Sequence, residues 1–152
     1  MLDWSLLAFV VLCVATASTG AIFQPGAWYE ALAKPSWTPP NWLFPVVWTI
    51  LYIMIALAGW LVWRAVGFGG AIFFWGLQLV LNGAWSWLFC GQRRMDLAMI
   101  DVALLWLSIA TFILLALPVS LWAGLLFVPY LAWVSIAAML NLTVWRMNPR
   151  AA

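Results

Sequence analysis

Val102 to Trp145, VALLWLSIATFILLALPVSLWAGLLFVPYLAWVSIAAMLNLTVW, runs for 44 residues without a charged side chain. A helix crossing about 30 Å of hydrocarbon needs roughly 20 mostly apolar residues at 1.5 Å each. The stretch is therefore too long for one crossing and long enough for two. Leu117-Pro118-Val119-Ser120 divides it near the middle, because proline disfavours helix at the residue before it. This reading places helices over residues 97–117 and 122–144, the second kinked at Pro129.

Working outward, the other charge-free intervals hold one crossing each. Asp3 to Glu30 contains residues 4–23, Lys34 to Arg64 contains 42–63, and Arg64 to Arg93 contains 70–89. The expected fold is all-α, a single integral membrane domain over residues 1–152 with five transmembrane helices. The first span also ends near Ala15-Thr16-Ala17, a signal-peptidase-like site. However, Asp3 and the lack of Lys or Arg before it favour a retained helix.

Composition agrees. The chain is 68% hydrophobic and 7% charged, against roughly a quarter charged in soluble domains, so lipid serves as its main solvent. A net charge of +2 without a basic cluster argues against nucleic acid as partner. The absence of histidine removes His-based catalysis, His-ligated zinc and proximal-His haem. Cys13 and Cys90 sit in apolar stretches and read as small buried side chains. No metal-ligand spacing or nucleophile–base pair is visible, and Gly67-Phe68-Gly69-Gly70 reads as a connector. Lys34, Arg93, Arg94, Arg146 and Arg150 fall on one side of five crossings, Arg64 on the other. The positive-inside rule then puts the C-terminus in the cytoplasm and the N-terminus outside.

Fourteen tryptophans need more than one explanation. Trp4, Trp42, Trp60, Trp63, Trp87, Trp122 and Trp145 suit the two interfaces, whereas Trp106 and Trp133 fall in mid-helix, where an indole N–H wants a partner. Gln78, Asn82, Trp85 and Phe89 share a helix face; so do Trp48, Tyr52 and Ile55, and so do Tyr130, Trp133, Ala137 and Asn141. Such stripes make either interhelical hydrogen bonds or the walls of a pocket for a flat apolar ligand. The loop over residues 24–41 carries four prolines with Trp28, Tyr29 and Trp37, and reads as a lid or as an interfacial connector. Asp101 is the carboxylate expected within a span, and Arg94, seven residues earlier, is its expected ion-pair partner near the interface. Gly76 and Gly83, one heptad apart, offer a close-approach face for a second copy.

Trp28-Tyr29, Leu32, Lys34-Pro35, Trp37, Pro39-Pro40, Trp42, Phe44-Pro45 and Trp48 resemble the first-loop signature of the TspO/MBR family, the translocator proteins or tryptophan-rich sensory proteins. Gln78, Asn82, Trp85, Gly91 and Arg94 are similar too, as are Trp122 to Tyr130, Trp133 and Asn141. The resemblance implies a five-helix bundle, commonly a homodimer, that binds porphyrins, with sterols and benzodiazepine-type ligands in some members. It implies a pocket lined by Tyr29, Trp37, Trp48, Tyr52, Asn82, Phe89 and Trp133. It also implies a sensor or receptor that regulates tetrapyrrole level or transport, with protoporphyrin IX as ligand and no obligatory cofactor. The alternatives are light-dependent porphyrin degradation through Trp37 and Trp133, or a transporter of porphyrin or sterol-like ligands. Lys34 or Arg93 is expected to meet porphyrin carboxylates. Leu140 to Arg146 lacks the tyrosine of the sterol motif proposed for animal members, which favours the tetrapyrrole role.

Overall fold

The computed structural model describes residues 3–23 and 26–149; Gln24, Pro25 and Arg150 lie outside them. Asp3 accepts the Ser5 N–H at 2.9 Å and so caps α1 (Trp4–Ile22). That backbone bond, helped by the Ser5 and Trp60 side chains, holds its carboxyl below the usual carboxylate range. A short helix, α2 (Ala27–Ala31), lies within the first loop. α3 (Leu43–Val66) stops at Gly67, whose φ of 67° is left-handed and suits glycine. α4 (Gly70–Ser86) continues into a π-helical turn at Trp87–Gly91, and together they make the third crossing. α5 (Met95–Ala116) is the fourth, and α6 (Leu121–Leu126) with α7 (Val128–Met147) forms the fifth. The structure thus has five helical crossings of the expected length and apolarity, and is all-α among the described residues.

Two local features differ from the sequence reading. The last crossing breaks at Phe127, and Pro129 stands as the second residue of α7 rather than inside a kinked helix. Proline is at ease there, since a first-turn N–H has no helical acceptor to lose. The second helix also runs past residue 63 to Val66. Arg64 is tolerated near its end because the guanidinium lies over the Trp60 ring, 4.8 Å from its centroid.

The expected Arg94–Asp101 ion pair does not form. Arg94 precedes α5 and grips Asp96 in two bonds, Nε to Oδ1 at 2.9 Å and Nη2 to Oδ2 at 2.8 Å. That bond to Asp96 holds the Arg94 guanidinium above its ordinary range. Asp101 lies one and a half turns further, about 7 Å deeper along the axis. It is buried, and its Oδ2 has no partner. A cation at the interface takes the accessible carboxylate because following a buried one costs several kcal/mol of desolvation.

The crossings close into a ring: α3 packs on α1, α1 on α4, α4 on α5, α5 on α6 and α7, and α6 returns to α3. Ile55, Ala58, Val62, Ile109, Phe112, Phe127 and Tyr130 are buried at its centre. The outer surface stays apolar, with Val14, Val80, Ile100 and Leu114 exposed, as lipid contact requires. Trp4, Trp42, Trp87 and Trp122 are exposed at crossing ends, matching the interfacial role expected of them. The Gly76–Gly83 face is divided. Gly83 turns to α1, where a Cβ would stand 3.5 Å from Thr19 Cγ2, while Gly76 faces open space. Gly76 lines a groove of about 670 Å³ between α1 and α4 with Phe9, Trp63, Phe73 and Trp75.

The turn between α5 and α6 is tight. Ser120 Oγ accepts the Ala123 N–H at 3.3 Å, and a Cβ on Gly124 would collide with Leu117. Gly59 on α3 allows a second close approach. A Cβ there would meet Trp75 Nε1 at 2.5 Å, and that indole donates to Ile55 O at 2.8 Å. Gly59→Ala must therefore displace a hydrogen-bonded ring. We expect a loss of about 1–3 kcal/mol, read as a lower unfolding midpoint in detergent; an unchanged midpoint would show that Trp75 is not locked.

Candidate functional site

In hydrocarbon, a buried polar side chain must find its partner within the protein. Tyr52 on α3 donates its O–H to Asn82 Oδ1 at 2.9 Å, and Asn82 Nδ2 donates to Tyr130 Oη at 2.7 Å. Tyr130 on α7 donates to Gln78 Oε1 at 2.8 Å, and Gln78 Nε2 donates to Trp75 O at 2.7 Å. One chain of bonds thus links α3, α4 and α7 across the ring. A second tie lies closer to the first loop, where Trp85 Nε1 donates to Asn141 Oδ1 at 3.1 Å and Asn141 Nδ2 to Met95 O at 3.0 Å. Trp106 Nε1 donates to Ser135 Oγ at 2.9 Å, so this mid-helix indole joins α5 to α7.

Trp133 differs. Its Nε1 is buried and has no partner, and its ring stands edge-on to Phe44 at 5.6 Å and to Trp48 at 6.5 Å between centroids. Trp48 also meets Tyr52 at 5.6 Å and Tyr130 at 6.1 Å. Nearer the loop, Phe89 stacks on Trp85 at 5.0 Å and meets Trp28 at 5.8 Å and Tyr29 at 6.2 Å. Phe44 and Trp85 border both groups, so the aromatics form one continuous wall from the loop to the centre of the ring.

Of the residues expected to line a pocket, Tyr29, Trp48, Tyr52, Asn82, Phe89 and Trp133 belong to this wall or to the polar chain beneath it. Trp37 does not join them; it sits on the first loop, 46% exposed. Phe44, Trp85 and Tyr130 belong to the wall as well. Trp85 and Tyr130 carried a signal in the helical stripes, whereas Phe44 carried it only as part of the first-loop motif.

The loop has its own order. Lys34 Nζ donates to Tyr29 O at 2.9 Å, Leu32 O at 3.1 Å and Glu30 O at 3.3 Å, and lies 4.8 Å from the centroid of the Tyr29 ring. Its three N–H groups are thereby used on the end of α2, where a cation also suits the helix dipole, so Lys34 is not free for a ligand carboxylate. Burial, with smaller contributions from Cys90 and Glu30, pushes the Tyr29 phenol above its ordinary range and keeps it a neutral O–H. Arg93, exposed and at φ 55°, holds its guanidinium 6.0 Å from the Trp28 ring centroid at the rim.

Fold and site together define an integral membrane protein with an aromatic, sparsely polar interior under a structured loop. A sequence model of the TspO/MBR family matches residues 9–146. The chain is 43% identical to Protein CrtK of Rhodobacter capsulatus over 146 residues, covering 93% of this chain and 91% of that protein. It is 42% identical to the tryptophan-rich sensory protein of Cereibacter sphaeroides, covering 97% and 94%. With the translocator protein of Homo sapiens it shares 40% identity, covering 80% and 75%. The chain belongs to the TspO/MBR family.

The polar chain sets a test. Tyr130→Phe removes the hydroxyl that accepts from Asn82 and donates to Gln78, leaving both amides short of a partner at buried positions. We expect about 1–3 kcal/mol of destabilisation in detergent, and a smaller effect from Trp106→Phe at the lipid-facing tie. Equal midpoints for wild type and Tyr130→Phe would mean that the central chain does not hold the ring.

Proposed function

We propose that this membrane sensor or receptor binds a tetrapyrrole such as protoporphyrin IX, or another flat apolar ligand, against the aromatic wall beneath the first loop. The observation that carries the reading is Trp133: its indole N–H is buried without an acceptor, and its ring is flanked by Phe44 and Trp48. A buried donor left unsatisfied is costly, and a ligand carbonyl or ring nitrogen relieves that cost. The ring faces supply stacking area for a macrocycle, and Arg93 on Trp28 supplies a cation for a carboxylate at the rim. The orientation in this reading has Lys34, Arg93, Arg94 and Arg146 on the cytoplasmic side of a bacterial membrane. Binding regulates tetrapyrrole level or transport.

A Soret-band titration of protoporphyrin IX into purified protein tests the reading. We expect saturable binding that weakens at least tenfold in Trp133→Ala. Equal, non-saturating partitioning in both proteins would reduce the aromatic wall to packing.

A second reading, light-dependent porphyrin loss, draws on the same contact, because Trp48 and Trp133 place two oxidisable indoles 6.5 Å apart beside the proposed ligand. Under illumination Trp133→Phe should retain porphyrin that wild type consumes. Consumption at the same rate in both would exclude Trp133 as the electron donor.

A further inference from the structure

Ala33 in the first loop and Asn148 just past α7 are 115 positions apart, yet one carboxamide grips one backbone unit. Ala33 N–H donates to Asn148 Oδ1 at 3.0 Å, and Asn148 Nδ2 donates to Ala33 O at 2.8 Å. The same Nδ2 donates to Val144 O at 2.8 Å, so the last turn of α7 orients the side chain. Asparagine suits this position because its amide presents a donor and an acceptor side by side, matching the N–H and C=O of a single residue.

The loop is tied into one piece by its own hydrogen bonds. Lys34 ties the end of α2, Thr38 Oγ1 donates to Pro35 O at 2.7 Å, and Asn41 Nδ2 donates to Glu30 Oε1. Pro35, Pro39 and Pro40 restrict the backbone between them. Beneath, Tyr29 and Leu32 are buried in a small cluster with Phe89, Met95, Leu140 and Val144, apart from the main core. Among the described residues, Leu43 N–H donates to Pro40 O at 3.0 Å where the loop runs into α3, and the hydrogen bonds that join the loop to a crossing distant in sequence both pass through Asn148.

We infer that Asn148 is the latch of the first loop, holding it over the aromatic site and setting how fast a flat apolar ligand enters and leaves. The gating part rests on the function proposed above. The clasp is exposed, where water competes for both bonds, so it breaks and remakes reversibly. Tyr29 and Leu32 reseat the loop after each opening.

The test compares wild type with Asn148→Ala and Asn148→Asp in detergent. It reads amide hydrogen exchange over residues 29–36 and the dissociation rate of protoporphyrin IX after dilution into competing apoprotein. Asn148→Ala should speed exchange at Ala33 about tenfold and porphyrin dissociation by a similar factor. Asn148→Asp, which keeps the acceptor for Ala33 N–H and loses the donor, should fall between. Unchanged exchange overturns the latch; faster exchange with unchanged dissociation overturns its control of the ligand. If wild type shows no saturable porphyrin site, the functional proposal fails. The exchange comparison alone then decides whether Asn148 holds the loop.

Discussion

A polar side chain in hydrocarbon has no water to fall back on, and this constraint orders the interior of the protein. Apolar packing cannot by itself choose one arrangement of helices here, because lipid tails are as apolar as the helix faces. Tyr52, Asn82, Tyr130 and Gln78 remove the ambiguity. Each donor meets an acceptor on a neighbouring crossing or on its own backbone, and a rotated or shifted helix would leave at least one of them stranded. Trp85, Asn141 and the Met95 carbonyl repeat the device one layer nearer the loop. Fully satisfied networks of this kind specify a unique packing more than they add stability.

Against that background, two buried polar atoms among the described residues stand out because they are unmatched: Trp133 Nε1 and Asp101 Oδ2. The first lies in the aromatic wall and supports the ligand reading. The second lies on α5 beyond reach of Arg94, whose guanidinium is committed to Asp96 at the surface. The first loop shows the opposite condition, with the Lys34 ammonium and the Asn148 carboxamide both occupied. Its position over the aromatic wall therefore has a definite chemical description.

The five crossings were legible because hydrocarbon thickness fixes a span length and charges mark where spans must stop. The convergence of the stripes on α3, α4 and α7 was legible for a related reason. Helical periodicity puts Gln78 with Asn82 and Tyr130 with Trp133, and lipid drives such faces inward. The alternative readings of those stripes turn out to divide by residue. Gln78, Asn82 and Tyr130 act as interhelical ties, whereas Trp133 carries the unmatched donor. What periodicity could not supply was the choice among competing partners. A seven-residue spacing would put Arg94 and Asp101 on one face of a helix that reached both, but α5 starts at Met95 and depth in the membrane decides the pairing in favour of Asp96. Pro129 signalled a break, and only packing around Phe127 set its place. Trp37 and Tyr29 sit in one loop, and nothing in their spacing says that one turns out and the other in.

The uncharged run that fixed the last two crossings also bears on how they reach the membrane. Its midpoint is the tight α5–α6 turn, with Gly124 against Leu117 and no charged group between Asp101 and Arg146. Arg94 and Asp96 at one end and Arg146 at the other remain on the same side when this helical hairpin enters as a unit. Only Pro118, Ser120 and their backbone have to be carried to the far surface, so biogenesis of this half of the protein translocates no formal charge.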